Sequence, residues 1–185
     1  SGNTEETLSA FKYCKKNDCP IIILSTGGML GDYAMEMGLD WLTMPSGLQP
    51  RAALGFSFSL IVLIIRYFGF ISQEIIKNIQ NSIIPLRELQ SIIVNLENPA
   101  MEIAHKIHNT CPIIYGSENF GSVIALRLQG QLAENSKMLS FHNSFPEQNH
   151  NEIEGWTMNE NIMSQFSIIW IKDEDDHAAI KLRMD

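Results

Sequence analysis

Two short apolar runs constrain this chain more than any other feature. Cys19-Pro20-Ile21-Ile22-Ile23-Leu24 ends in Ser25-Thr26-Gly27-Gly28, and Cys111-Pro112-Ile113-Ile114-Tyr115 ends in Gly116-Ser117. An unbroken apolar run of this length, closed by small turn residues, is the pattern of a strand buried on both faces beneath helices. Helical patterns flank both runs. Asn3 to Lys15 begins with a residue that can cap a helix, has Glu6 three positions on, and places Leu8 and Phe11 on one face. Met29 to Met37 forms a second helix, and Leu42 to Pro45 is short and extended. Pro99 to Asn109 and Val123 to Met138 read as helices on either side of the second run, and Phe166 to Ile171 reads as a late strand. Strands alternating with helices predict an α/β fold with mainly parallel sheets.

The repeat of Cys-Pro-Ile-Ile fits two similar lobes: residues 1–75 in the first, a helical connector over 76–98 that breaks at Pro85, and residues 99–185 in the second. His142 to Gly155 is polar and turn-rich, and no helix is expected after the charged run Lys172 to Asp176. Few strands are visible for each lobe, so the chain is expected to lack both ends of its fold. From near Pro50 a long apolar helix carries Phe56 to Ile65, diluted by Gly55, Ser57 and Ser59 and stopped by Arg66. That stretch falls short of a membrane span and predicts a helix packed in a lobe core or between subunits.

With 185 residues, 45% of them hydrophobic, the chain can bury a sizeable core. Its formal net charge of -8 leaves no basic stripe for nucleic acid. A phosphorylated small molecule remains compatible, because one phosphate needs only a few local donors. Cys14, Cys19 and Cys111 are odd in number and match no zinc or redox spacing, which reads as reduced thiols in a cytoplasmic protein. No signal peptide is visible.

Four places can carry chemistry. Ser1-Gly2-Asn3-Thr4 opens a helix, where hydroxyls, free N–H groups and the dipole favour an anion; ordinary N-capping reads the same way. Glu134, in Glu134-Asn135-Ser136-Lys137, lies against the dipole at a helix end, which suits a general base; on residue pattern alone a surface acid paired with Lys137 is the commoner arrangement. His150 lies in the polar cluster Asn149-His150-Asn151-Glu152, as a proton-transfer group or as a solvated loop histidine. Arg51 places a cation at a helix start, opposed by the dipole, as an anion ligand or a plain surface residue.

Taken in order, Ser1-Gly2-Asn3-Thr4-Glu5-Glu6-Thr7, Gln49-Pro50-Arg51-Ala52-Ala53-Leu54-Gly55, Pro112-Ile113-Ile114-Tyr115-Gly116, Glu134-Asn135-Ser136-Lys137 and Asn149-His150-Asn151-Glu152-Ile153 resemble the bifunctional phosphoglucose/phosphomannose isomerases, which are built from sugar isomerase (SIS) domains. The resemblance runs through nearly the whole chain. It implies two SIS lobes and an enzyme that interconverts glucose 6-phosphate, and mannose 6-phosphate, with fructose 6-phosphate. It further implies that Ser1 and Thr4 hold the substrate phosphate, Arg51 stabilises the enediolate, and Glu134 moves the proton between C2 and C1. His150 would open the sugar ring from the partner subunit of a homodimer. No metal or other cofactor, no nucleic acid and no membrane is implied. The family's earlier glycine-rich loop and its later helix with a lysine and a threonine fall outside Ser1 to Asp185, so this chain alone is expected to be inactive. A non-catalytic sugar-phosphate sensor, and an SIS isomerase of another sugar phosphate, are the alternatives.

Overall fold

The computed structural model describes residues 2–158 and 160–185. The chain divides into two compact units, Ser1–Pro85 and Leu86–Asp185.

In the first unit, α1 (Glu5–Lys16), β1 (Ile22–Ser25), α2 (Gly28–Met37) and β2 (Asp40–Thr43) follow in order, and β1 and β2 pair in parallel with Ile22 opposite Asp40. The core is Phe11 from α1, Ile23 from β1, and Leu30 and Ala34 from α2. Phe11 stacks on Tyr33 with ring centroids 5.1 Å apart. Trp41 of β2 lies flat against Gly31, where a Cβ would come within 2.9 Å of the indole, and donates its Nε1–H to Ser25 Oγ at 3.0 Å. Gly38, at φ 64°, closes α2 in the left-handed conformation that glycine adopts without strain.

A 3-10 turn (Pro50–Ala52) leads into α3 (Leu54–Tyr67), and α4 (Gln73–Asn81) and α5 (Ile83–Ile93) follow. None of α3 is buried; Leu54, Phe56, Phe58, Ile61 and Leu63 are all about half exposed. Packing of α3 in the core of a lobe is therefore corrected. Among the described residues no helix is long and apolar enough to cross a membrane. The helix break falls at Ser82 rather than at Pro85, which lies in the first turn of α5, where a missing N–H removes no helical bond.

The second unit begins with α6 (Pro99–Ile107), capped by Asn98, whose Oδ1 accepts the Met101 N–H at 3.0 Å. β3 (Cys111–Ser117), α7 (Phe120–Gln131) and a π-helical turn (Leu132–Ser136) come next. β4 (Phe141–Phe145), α8 (Glu147–His150), α9 (Glu152–Gly155), α10 (Glu160–Met163), β5 (Phe166–Ile171) and α11 (Ala178–Met184) complete it. The sheet is parallel throughout in the order β4-β3-β5. α7 presses on β3 so closely that a Cβ on Gly116 would lie 2.4 Å from the Gly121 carbonyl carbon. Successive side chains alternate faces, so Tyr115 points away from α7. On that side Asn143, Tyr115 and Trp170 stand in register across the three strands. Tyr115, Phe145 and Met184 form the core there, with Trp156, Trp170 and Ile180 against them.

Two expectations are corrected. The polar stretch after His142 begins with strand β4, whose inward Asn143 is satisfied by the half-buried Glu152 carboxylate, so the strand lacks the apolar alternation that would have revealed it. A helix, α11, does follow β5; it buries only Met184, too little to show in the sequence.

Candidate active site

Of the opening motif, Ser1 lies outside the described residues. Thr4, not Asn3, holds the N-cap position of α1, in extended conformation, but its side chain does not cap the helix. Its Oγ1 instead shares a 2.6 Å hydrogen bond with Thr7 Oγ1. Asn3 caps a different helix: its Oδ1 accepts the Met29 N–H at 2.8 Å, and the Gly2 carbonyl accepts the Leu30 N–H at 3.1 Å. Gly2 and Asn3 thus tie the start of α1 to the start of α2. Gly2 is required there, at φ 78° and with room for no Cβ, which would fall 2.1 Å from the Gly27 carbonyl oxygen. Two helix N-termini, both favouring negative charge, are held side by side at the carboxyl end of β1. Arg51, half-buried, lies in the 3-10 turn ahead of α3 rather than in the helix itself.

In the second unit Glu134 is the middle residue of the π-helical turn that ends α7. Such turns, which widen the helix by one residue, recur at functional positions. Lys137, at φ 56°, closes the turn and donates its Nζ to the Glu134 backbone carbonyl at 2.6 Å. This end of α7 lies at the amino end of the sheet: Ser136, Lys137 and Leu139 share a cavity with Thr110 just before β3, with Cys111 at its start and with Gln165 before β5.

His150 ends the single turn α8, beyond the carboxyl end of β4, and its side chain is exposed. The five residues of β4 separate the two levels, about 16 Å at ~3.3 Å per residue. One copy of the second unit therefore does not bring Glu134 and His150 together. Asn151 beside His150 donates its Nδ2 to Glu147 Oε1 at 3.0 Å, and Gln148 is buried with its Oε1 unpartnered.

The groups fixed most firmly near His150 were not singled out by residue type. Glu152, opening α9, accepts the Tyr115 O–H at Oε1 and the Asn143 Nδ2–H at Oε2. Tyr115 in turn accepts the Trp156 Nε1–H at 3.1 Å. Burial, and then the hydrogen bond to Glu152, push the Tyr115 phenol well above its ordinary value, so it remains a donor. The signal available in sequence was a tyrosine inside an aliphatic strand run, since a buried phenol needs a partner.

A profile described as the bacterial phospho-glucose isomerase C-terminal SIS domain matches residues 96–185. A bifunctional phosphoglucose/phosphomannose isomerase of Caldicellulosiruptor bescii is 40% identical over all of this chain and 56% of its own length. One from Aquifex aeolicus is 34% identical over all of this chain and 54% of its own. The chain belongs to the phosphoglucose/phosphomannose isomerase family. It spans about half the length of the curated relatives it matches. Family membership does not by itself fix one reaction, because a D-glucosamine-6-phosphate 4-epimerase of Sulfolobus acidocaldarius is 31% identical over 98% of the chain and 56% of its own length. The parallel sheets flanked by helices are those of an SIS domain.

Proposed function

We propose that the protein carrying this chain is an aldose–ketose isomerase that interconverts glucose 6-phosphate, and mannose 6-phosphate, with fructose 6-phosphate. The observation that carries this reading is the match over the full chain to two bifunctional isomerases, with every motif of the set present in order. Ser1 and Thr4 hold the phosphate, whose binding orients the carbon skeleton. His150 opens the ring: the O1 proton is removed, the C1–O5 bond breaks, and O5 takes up a proton. Glu134 then removes the C2 proton and returns it to C1 while the O2 proton passes to O1; the two carbon steps are ones a single carboxylate can perform in a water-poor site. Arg51 faces the enediolate charge that develops between those steps.

The protein acts as a homodimer in which His150 serves the partner's Glu134. Two features support this: Glu134 and His150 lie at opposite ends of one sheet, and α3 leaves a broad apolar face uncovered. The free cysteines Cys14, Cys19 and Cys111 fit a cytoplasmic setting.

A coupled assay on the full-length protein with Glu134→Gln tests the reading: turnover of fructose 6-phosphate is abolished and substrate binding is kept. Near-normal turnover in that variant refutes it, and an active monomer in sedimentation refutes the shared site. The epimerase relative favours one second reading, an SIS enzyme acting on a different sugar phosphate. Assaying glucosamine 6-phosphate beside fructose 6-phosphate separates the two.

A further inference from the structure

We propose that Glu152 is the positioning residue for His150, holding the imidazole where ring opening needs it. The proposal rests on the reading of His150 as the ring-opening group. α8 and α9 are single turns of four residues each, joined through Asn151. A turn that short does not hold its own shape, because forming it fixes several dihedral angles for very few hydrogen bonds. Among the described residues the His150 ring has no hydrogen-bond partner, so its direction follows from where its backbone is pinned.

The nearest side-chain hydrogen bonds to the sheet are made two residues on. Both Glu152 oxygens are engaged, one by Tyr115 on the central strand and one by Asn143 on the adjoining strand, from opposite partners in the same register row. Tyr115 is wholly buried, and its ring is stacked on Trp170 with centroids 5.1 Å apart. The carboxylate is thereby joined to the buried core of the unit.

The chemistry of the cluster asks for a carboxylate and not merely for a polar side chain. Asn143 offers an N–H, Tyr115 an O–H, and Trp156 an N–H that Tyr115 accepts. Only a group that accepts at both ends satisfies the first two. A glutamine of the same size turns an N–H toward one of these donors and leaves it unpaired. Aspartate is one carbon too short to reach both strands from α9.

The test uses the full-length protein and measures two things. One is enzyme-catalysed exchange between the α and β anomers of glucose 6-phosphate, by exchange NMR. The other is the affinity for an open-chain five-carbon aldonic acid phosphate, which needs no ring opening. Glu152→Gln and Tyr115→Phe are expected to slow anomer exchange about tenfold to a hundredfold, the loss that follows small misplacement of a reacting group. Both should bind the open-chain analogue within about twofold of the parent, since the phosphate and enediolate contacts are elsewhere. His150→Asn combined with Glu152→Gln should be no slower than His150→Asn alone, because the two act as a unit. Anomer exchange at the parent rate in Glu152→Gln, with His150→Asn slow, overturns the positioning role and leaves the ring-opening reading intact. Analogue binding that weakens in step with exchange also overturns it, as general loss of structure. Parent-rate exchange in His150→Asn removes the ring-opening reading itself, and the proposal with it.

Discussion

Tyr115→Phe tests the buried cluster most directly, because it removes one oxygen and leaves the packing of the ring against Phe145 and Trp170 unchanged. At pH 8 the variant loses a hydrogen bond to a carboxylate and leaves the Trp156 Nε1–H without its acceptor. A hydrogen bond to a charged group contributes about 1.5–3 kcal/mol. Glu152 and Trp156 are only half-buried, so water replaces part of what is lost, and the expected deficit is about 2 kcal/mol. Alkaline pH should then erase much of it. The phenol is held protonated in the folded protein above its ordinary value of 10.0, whereas in the unfolded chain it ionises there. A proton bound more tightly by the folded state stabilises that state below pH 10, and the benefit falls by about 1.4 kcal/mol per pH unit as pH rises beyond it. By pH 11 the parent has given up about 1.4 kcal/mol through this group, while the phenylalanine variant has given up none. Urea unfolding followed by tryptophan fluorescence at pH 8 and pH 11 should therefore show the gap shrink from about 2 to about 0.6 kcal/mol. Tyr13, Tyr33 and Tyr67 are common to both proteins and cancel in the difference. A gap that is unchanged between the two pH values refutes the reasoning, since the phenol would then ionise alike in both states.

Other substitutions probe the scaffold around the site. Gly116→Ala drives a Cβ to 2.4 Å from the Gly121 backbone, which has no flexible end to yield, and should lower stability by about 3 kcal/mol or more, read as a lower urea midpoint. Asn3→Ala removes the 2.8 Å acceptor for the Met29 N–H; a loss of about 1 kcal/mol is expected, with faster hydrogen exchange at Met29 and Leu30. Asn98→Ala takes away the cap of α6 together with two donations, to the Ile93 carbonyl at 3.1 Å and the Asn95 carbonyl at 2.5 Å, and should lower stability by about 2 kcal/mol in thermal unfolding.

What the sequence determined by itself was the class of fold. Ile113 to Tyr115 is a continuous apolar run because α7 covers one face of β3 and Trp156, Ile180 and Met184 pack on the other, whereas β1 buries Ile23 and Ser25 and leaves Ile22 and Leu24 partly exposed. Thr4, Arg51, Glu134 and His150 were candidates from residue type and local context: a hydroxyl at a helix start, a cation ahead of a helix, a carboxylate at a helix end and an imidazole in a polar turn. Other features became visible only in three dimensions. β4 reads as a loop until Asn143 finds the Glu152 carboxylate, and Asn3 reads as the cap of its own helix until it reaches Met29, twenty-six positions away. The levels of Glu134 and His150 on the sheet likewise depend on parallel pairing, which carries α7 back to the amino end before β4 begins. Sequence spacing records neighbours along the chain. Hydrogen bonds between distant segments satisfy buried polar groups by geometry, and that geometry exists only once the strands are paired.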